Sequence, residues 1–209
     1  GDEEKIELCP NWLVGELEEI TRSLSTQNRA TPKPAPKLLY CGNIGQKQGL
    51  LDLCKHLQQS DLVFDFEIRG DGTCRGELDD WLAKVRDKRF RLGGFLETSA
   101  FMSSIRGADL FVTCEKPSAG FSFIPSKLIP SISIGTPILA VSDITSPLGQ
   151  EVIQHRIGIH VAWDDVEQLP NHLVEFSSRR QWYQDQCLTR AKYYSRGPSL
   201  DRYESLASA

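Results

Sequence analysis

The sequence GNIGQKQG at residues 42–49 could bind a phosphate, because it combines three glycines with a lysine directly after an apolar run. Glycines allow a ligand to approach the backbone closely, and the start of a helix presents unpaired N–H groups to an anion. Lys47 would add a charge-assisted hydrogen bond to a phosphate oxygen. The spacing matches neither a dinucleotide-binding G-x-G-x-x-G nor a P-loop, so an ordinary turn between a strand and a helix is an equally good interpretation.

A second lysine, Lys127, lies where the sequence predicts the start of a helix. Pro125-Ser126 is typical of such a start, with Ser126 as the N-cap and Lys127 in the first turn. A lysine there opposes the helix dipole, so its presence favours a bound phosphate that compensates the charge. The alternative is that Lys127 points into solvent. The surrounding loop, residues 115–128, mixes aromatic and small residues, as binding loops do.

Two further polar residues follow the second predicted strand. Asp71 lies between Gly70 and Gly72, a pattern more typical of a tight turn than of a catalytic acid. Arg75 could reach a ligand, although an arginine at this place more often pairs within its own helix. The sequence therefore offers no candidate general base and no catalytic side chain.

The cysteines and histidines do not have the spacing of a metal site. No Cys-x-x-Cys pair occurs, and the gaps suit neither zinc nor a disulfide framework; the residues lie at positions 9, 41, 54, 74, 114 and 187 (Cys) and 56, 155, 160 and 172 (His). Cys41 and Cys114 fall at predicted strand ends, where small buried residues are common. We expect free thiols in the reducing cytosol, and neither a metal nor another cofactor.

The elements that must position these loops alternate regularly. Short apolar runs predict strands at residues 37–42, 62–70, 89–93, 108–114, 137–141 and 157–161, and helical spacing predicts helices at 50–58, 76–86, 97–107, 147–155 and 166–176. This alternation is typical of an α/β fold with a Rossmann-like parallel sheet and helices on both faces. In such a sheet ligands bind beyond the carboxyl ends of the strands, where the candidate loops lie.

A proline-rich stretch, TPKPAPK at residues 31–37, predicts an extended linker. It divides the chain into a linking segment (1–36), a Rossmann-like domain (37–176) and a polar C-terminal stretch (177–209) that reads as helical, with an interruption at Gly197-Pro198. The chain opens on Gly1 rather than on a methionine, so we expect it to be a fragment of a longer protein.

Charge and hydropathy exclude several classes of protein. The net charge is −4, which does not favour binding to nucleic acid or to an anionic membrane. No apolar run approaches 18 residues, and the acidic N-terminus lacks the features of a signal peptide. We therefore expect a cytoplasmic location and no nucleic-acid partner.

In their order along the chain, these segments resemble the C-terminal, donor-binding domain of GT-B retaining glycosyltransferases of family four. Beyond the glycine-rich loop and the Gly-Asp-Gly turn, the matching segments are LGGF at 92–95, ADLFV at 108–112, PSKL at 125–128 and GTP at 135–137. The first loop and the PSKL segment indicate the colanic-acid-type branch. CPNW at 9–12 resembles the segment where these chains cross between domains, and the tail resembles closing helices that pack back on the N-terminal domain.

The resemblance implies transfer of a sugar, with retention, from a nucleotide-diphosphate sugar to a saccharide or lipid-linked acceptor. The implied diphosphate contacts are Asn43, Ile44, Gly45, Lys47 and Lys127. The implied nucleoside contacts are Gly70, Asp71, Gly94, Phe95, Leu96, Ser126 and Leu128. The implied sugar contacts are Ser118, Ala119, Gly120, Phe121 and Ser122. No divalent metal is required by the sequence.

The resemblance also implies a partner, the missing N-terminal acceptor domain of the same chain. Through that half the whole protein could associate peripherally with the inner face of a membrane. We expect the fragment to be inactive by itself.

The sequence departs from the family at four positions. The two carboxylates of its E-x₇-E pair would fall at Ser122 and Pro130, and the two cations that often clamp the diphosphate would fall at Asn43 and Gln48, so Lys47 must substitute. These departures favour an alternative function, a degenerate GT-B domain that binds or assembles without catalysis. An NAD-dependent oxidoreductase fits less well, because G-x-G-x-x-G is absent and Glu67, the nearest acid, precedes the strand end.

Residues 131–134 give conflicting signals. Their apolar residues alternate with period two, as in a strand, whereas the resemblance places a helix there. With Pro130 and β-branched residues, we expect that helix to be short or distorted in its first turn.

Overall fold

Six parallel strands form one sheet in the computed structural model, which describes residue 13 and residues 15–25, 35–117 and 124–207. The strands are β1 (Lys37–Asn43), β2 (Asp65–Asp71), β3 (Phe90–Gly93), β4 (Leu110–Cys114), β5 (Ile138–Val141) and β6 (Gly158–Val161). Their order is β3-β2-β1-β4-β5-β6, with every neighbouring pair parallel. The order reverses between β1 and β4, the place where doubly wound sheets bind ligands.

Helices connect the strands and cover the sheet. They are α1 (Glu16–Ser25), α2 (Leu50–Gln58), α3 (Arg75–Val85), α4 (Thr98–Gly107), α5 (Leu128–Ser133), α6 (Pro147–His155), α7 (Leu169–Ala191) and α8 (Arg196–Ala207). Short 3-10 helices occupy Gln46–Gln48, Trp163–Gln168 and Lys192–Tyr194. The predicted fold class, a Rossmann-like α/β sheet, is confirmed.

The central strand β1 shows why the sheet is buried on both faces. Leu38 and Tyr40 pack into one hydrophobic core together with Leu53, whereas Leu39 and Cys41 pack into a second core on the other face. Successive strand side chains point to opposite faces. A strand covered on both sides must therefore be apolar throughout, which explains the continuous run in the sequence.

The second strand begins at Asp65, three residues later than predicted. Its pairing partner β1 begins at Lys37, opposite Asp65, so earlier residues have no strand beside them. The carbonyl groups of Ser60 and Leu62 instead accept hydrogen bonds from the Arg89 guanidinium, at 2.6 and 2.8 Å. The loop before β2 is thus held by an arginine rather than by sheet pairing.

The predicted helix start, with Ser126 as the N-cap, is wrong by one residue. Helix α5 begins at Leu128, Lys127 occupies the N-cap position with helical backbone angles, and no side chain caps this end. Ser126 and Lys127 form a turn closed by the Leu128 N–H, which donates to the Pro125 carbonyl at 2.9 Å. The helix has only six residues, as expected from its proline and β-branched content.

The C-terminal helices differ from the predicted pattern. Helix α7 continues without interruption from Leu169 to Ala191, and its buried residues Leu173, Phe176 and Cys187 lie at helical spacing. The break falls at residues 192–195 rather than at Gly197-Pro198. The proline lies in the first turn of α8, where its missing N–H costs no helical hydrogen bond.

Two buried ion pairs attach α7 to the rest of the domain. Arg180 contacts Asp109 at 2.7 Å, and the same carboxylate accepts a hydrogen bond from the Lys37 backbone N–H at 2.7 Å. Arg190 binds Glu151 of α6 through two hydrogen bonds of 2.7 and 2.9 Å. The predicted domain boundary at residues 176/177 falls within this helix, and the division into three parts stays a prediction.

Helix α1 lies in the segment predicted as an interdomain linker and had no predicted element. Its first turn carries Glu16, Glu18 and Glu19, which favour a helix N-terminus. Leu17 and Ile20 pack against the core that contains Met102 and Ile105. Among all helices of the described ranges, none combines the length and the apolar composition needed to cross a membrane.

Candidate functional site

The glycine-rich first loop is closed by its own amide side chains. Gln48 Oε1 accepts hydrogen bonds from Asn43 Nδ2 at 3.3 Å and from the Gly45 backbone N–H at 3.1 Å. The Ile44 N–H donates to the Asp71 carbonyl at 2.8 Å. Two of the three backbone amides predicted to bind the diphosphate are therefore already bonded within the protein. Asn43 and Gln48, which stand where the family often has cations, hold the loop together.

The turn Gly70-Asp71-Gly72 packs closely against the backbone of this loop. A Cβ at Gly70, whose φ is 150°, would overlap the Gly42 carbonyl oxygen. The Asp71 carboxylate accepts a hydrogen bond from the neighbouring Gly72 N–H at 2.8 Å, as in a simple turn. The turn interpretation of Asp71 thus fits the structure, and the role of Gly70 there is close backbone packing.

Arg75 joins the ends of two strands. Its guanidinium donates to the carbonyl of Gly70 and, at 3.1 Å, to the carbonyl of Gly93. It therefore fixes the carboxyl ends of β2 and β3 relative to each other, rather than pairing within its own helix as the sequence suggested.

A first cavity of about 260 Å³ opens at the carboxyl ends of β1 and β4, at the point where the strand order reverses. The residues that give it chemical character are Gly42, Asn43, Lys47, Glu115, Ser126 and Lys127. Asn43 and Lys47 of the first loop and the distant Lys127 all line this cavity. Their proposed role as phosphate contacts stays a prediction.

A second cavity of about 580 Å³ adjoins the first and is more apolar. Its lining includes Cys41, Phe95, Leu96, Phe101, Lys127 and Pro130. Cys41, Ser126 and Lys127 line both cavities. The Phe95 ring, on the loop after β3, is 64% exposed and is free to contact a ligand.

Two lysines provide positive charge at the first cavity. Lys127 Nζ would lie 3.5 Å from a Cβ at Gly42, so its ammonium lies across the cavity close to the first loop. Within the ranges that the structure describes, neither Lys47 nor Lys127 has a carboxylate within ion-pair distance. The nearby Lys116 differs, because it pairs with Asp52 at 2.6 Å. The cavity therefore has uncompensated positive charge suited to an anion.

The cysteines at the cavity are not activated. Burial raises the pKa of the Cys41 thiol, although Lys127 and Arg69 partly oppose this, and burial also raises the pKa of Cys114 well above its usual value. Both side chains stay protonated at neutral pH and are poor nucleophiles. All cysteines in the described ranges are free thiols.

The structure does not bring every predicted residue to the cavities. The Leu128 side chain is buried in a hydrophobic core, so its side chain is unavailable to a nucleoside. Gly70 and Asp71 belong to the supporting turn described above, and Ile44 and Gly45 line a separate space of about 460 Å³ on the other side of the first loop. Gly94 lies beside Phe95 with open space around it. The predicted sugar contacts, residues 118–122, lie outside the described residues.

Sequence reasoning missed Glu115, which directly follows β4 and lines the first cavity. Its position at the carboxyl end of a central strand was a signal that could have identified it. The phenol of Tyr40, which also lines this cavity, donates to the Asn43 carbonyl at 2.5 Å and helps to fix the end of β1.

Two other kinds of site receive no support. No group of three or more His, Cys, Asp or Glu in the described ranges could hold a metal ion. Glu67, the acid nearest to the ribose position of NAD enzymes, is buried and contacts Arg69 at 2.8 Å and Lys37 at 3.6 Å. Its carboxylate is thus used within the protein.

Comparison with known proteins agrees with the geometry. No protein-family model matches the chain. WcaI of Escherichia coli (strain K12), assigned as a glycosyl transferase of colanic acid biosynthesis, is 27% identical over 116 residues. The match covers 54% of this chain and 28% of WcaI, so the matched segment corresponds to less than a third of that relative.

Solved structures share the fold over nearly the whole chain. Sucrose-phosphate synthase from Thermosynechococcus elongatus superposes with a TM-score of 0.71 at 16% identity, covering 97% of this chain and 52% of that protein. HepE from Anabaena, solved in complex with UDP-glucose, superposes with a TM-score of 0.65 at 15% identity, covering 92% and 52%.

The chain spans about half of each solved structure. In fold it is similar to one Rossmann-like half of the GT-B glycosyltransferases, and over 116 residues its sequence is similar to a glycosyl transferase of colanic acid biosynthesis.

Proposed function

We propose that this chain binds a nucleotide-diphosphate sugar and forms the donor-binding half of a glycosyltransferase. The observation that carries the proposal is the pair of adjoining cavities that meet at Lys127, at the reversal point of the sheet. One cavity is the less apolar and contains two lysines without ion-pair partners among the described residues, and the other is largely apolar with an exposed aromatic ring. A nucleotide-diphosphate sugar has the corresponding parts, an anionic centre with an aromatic base on one side and a sugar on the other.

The lysines would act on the leaving group. The diphosphate gains negative charge as the glycosidic bond breaks, and fixed positive charge from Lys47 and Lys127 would stabilise that state more than the ground state. The base would lie near Phe95 and Leu96 in the second cavity. The sugar would extend towards residues 118–122, whose backbone N–H groups could bond its hydroxyls.

The remainder of the reaction requires parts that this chain does not supply. The proposal assigns no general base to this half, and the acceptor, a saccharide or lipid-linked glycan, would bind to an N-terminal domain. Retention of the anomeric configuration is part of the proposal by the family resemblance. So are a donor site that needs no divalent metal, a cytoplasmic location and peripheral association with a membrane through that other domain.

The proposal is tested by isothermal titration of the full chain with UDP-, GDP- and ADP-sugars. We expect saturable binding of one of them in the micromolar range. Lys127→Ala should weaken that binding about 10- to 100-fold, as expected for the loss of a hydrogen bond to a charged group.

The matched control is Lys84→Ala, because Lys84 is an exposed lysine of α3 that lines neither cavity. This variant should bind like the wild type. If the wild-type chain binds none of the nucleotide sugars, the proposed function is wrong.

A second function, that of a degenerate GT-B domain which binds or assembles without catalysis, is favoured by one observation. Pro130, at the position where the family has its ribose-binding carboxylate, lines the second cavity and offers no hydrogen-bonding side chain there. This alternative predicts weak or no nucleotide binding, so the same titration separates the two functions.

A further inference from the structure

Glu115 presents a buried carboxylate oxygen that no described residue hydrogen-bonds. Its Oε1 is shielded from solvent and has no hydrogen-bond partner in the described part of the chain. A buried acceptor without a donor has lost its hydration without replacement, which destabilises the folded state, and more so when the group is charged. Such a group in a native protein calls for a reason.

The backbone at Glu115 is held from three sides. Its N–H donates to the Val141 carbonyl at 2.9 Å, and its own carbonyl accepts from Trp163 Nε1 at 2.7 Å. The next residue, Lys116, donates from its N–H to the Lys47 carbonyl at 2.8 Å and pairs with Asp52. The residue that carries the carboxylate is therefore fixed to the first loop, to β5 and to the 3-10 helix at Trp163.

Glu115 lies among groups of opposite charge without pairing with them. It is the only acidic residue among the described residues that line the first cavity, which also contains Lys47 and Lys127. No lysine or arginine in the described ranges lies within ion-pair distance of it. The lining thus combines a glutamate that pairs with no cation and two lysines that pair with no carboxylate among the described residues, which suits a ligand that has both hydroxyl donors and an anionic group.

We propose that Glu115 accepts a hydrogen bond from a hydroxyl of the glycosyl group of the donor, an inference that rests on the proposed function. A carboxylate repels phosphate and accepts hydrogen bonds only, so the phosphates lie at the lysines and a hydroxyl lies at Glu115. The apolar second cavity suits the nucleoside, which leaves the glycosyl group for the first cavity. Glu115 then supplies a carboxylate to a site where Ser122 and Pro130 supply none.

The test compares nucleotide sugars with the nucleotides that lack the sugar. The full chain, as wild type, Glu115→Gln and Glu115→Ala, is titrated with UDP-glucose, GDP-mannose and ADP-glucose and with UDP, GDP and ADP. For the pair that the wild type binds, we expect Glu115→Ala to weaken the nucleotide sugar about 10- to 100-fold and to leave the free nucleotide within about twofold. Glu115→Gln should show the same selectivity with a smaller loss.

Thermal unfolding separates this role from a structural one. Removing an unpartnered buried carboxylate should leave the melting temperature of Glu115→Gln equal to or above that of the wild type. Glu167→Gln, a change at an exposed residue of the 3-10 helix Trp163–Gln168, is the matched control and should alter neither quantity.

Each other outcome identifies what failed. Unchanged affinity of Glu115→Ala for the nucleotide sugar overturns the assignment of Glu115 while the proposed function stands. Equal losses for the nucleotide and the nucleotide sugar, or a lowered melting temperature in Glu115→Gln, show a structural role and also overturn the assignment. A wild-type chain that binds no nucleotide sugar overturns the proposed function, and this inference with it.

Discussion

Lys127 illustrates at the scale of one residue how a side chain selected from the sequence can line a cavity for a different reason than the one that selected it. The sequence drew attention to it because a lysine in the first turn of a helix opposes the helix dipole. In the structure it precedes a helix of only six residues, without a capping side chain. Its interest comes from its position between two cavities and across from Gly42, which depends on contacts between segments far apart in sequence.

Gly70 allows a prediction at the same scale. A methyl group there would overlap the Gly42 carbonyl oxygen, and the φ of 150° is strained for any other residue. Gly70→Ala should therefore lower the free energy of unfolding by at least about 3 kcal/mol, measured by urea denaturation. Gly94→Ala is the control, because no atom lies within 4 Å of the added group, and it should change stability little. Similar stabilities for the two variants would contradict the close packing of the turn on the first loop.

At the scale of elements, Arg89 connects three segments near the amino ends of β2 and β3. Its guanidinium donates to the carbonyls of Gln58, Ser60 and Leu62, at 2.9, 2.6 and 2.8 Å. It also binds Asp87, and these hydrogen bonds hold the pKa of that carboxyl below its usual 3.8. The stabilisation from the pair is therefore present above about pH 4 and is lost as the pH falls through the lowered pKa. Through this arginine the end of α2, the start of β2 and β3 keep their relative positions.

Arg89→Lys should destabilise the domain even though the charge is kept. A lysine cannot donate in several fixed directions at once, so buried carbonyl groups lose their partners. We expect a loss of about 2–4 kcal/mol in the free energy of unfolding, measured by urea denaturation at pH 7. Arg91→Lys is the control, because Arg91 lies in β3 and its side chain is exposed. This change should lower the free energy of unfolding by less than about 1 kcal/mol. Equal effects of the two changes would argue against the connecting role of Arg89.

At the scale of the whole molecule, helix α7 determines where the domain ends. Its last turns carry Cys187, whose thiol contacts the Ile157 carbonyl at 3.3 Å, and Arg190, which neutralises the buried Glu151. Earlier in the helix, Arg180 neutralises Asp109. Helix α8, by contrast, packs chiefly on the 3-10 helix that precedes it.

Two truncations test this organisation and the predicted boundary. A chain that ends at residue 195 should unfold cooperatively within a few degrees of the full chain. A chain that ends at residue 176 leaves Asp109 and Glu151 without their arginines, and each such loss costs about 3–5 kcal/mol, out of a total stability of roughly 5–15 kcal/mol. We expect this shorter chain to lack a cooperative thermal transition by circular dichroism. A normal transition in it would instead support the boundary at 176/177.

The alternation of elements was determined by the sequence, because the burial of a strand on two faces and of a helix on one face leaves a local, periodic pattern. Both ends of helix α6 were predicted. Its start is encoded locally, because the Ser146 side chain accepts a hydrogen bond of 3.0 Å from the Gly149 N–H and Pro147 is the first helical residue. The candidate loops were predicted as well, because the carboxyl ends of parallel strands share one edge of the sheet. Such features depend on residues close together in the chain.

Only the tertiary structure decided which groups of those loops are buried, which are bonded within the protein and which are left without a partner. It placed Leu128 in a core, engaged the amides of Ile44 and Gly45 within the protein, and left a carboxylate oxygen of Glu115 without a donor. Each outcome depends on atoms from β1, β2, β4 and α5 meeting at one place, over separations that no local pattern encodes. The loops around the cavities could therefore be predicted from the sequence, but which of their residues line the cavities could not.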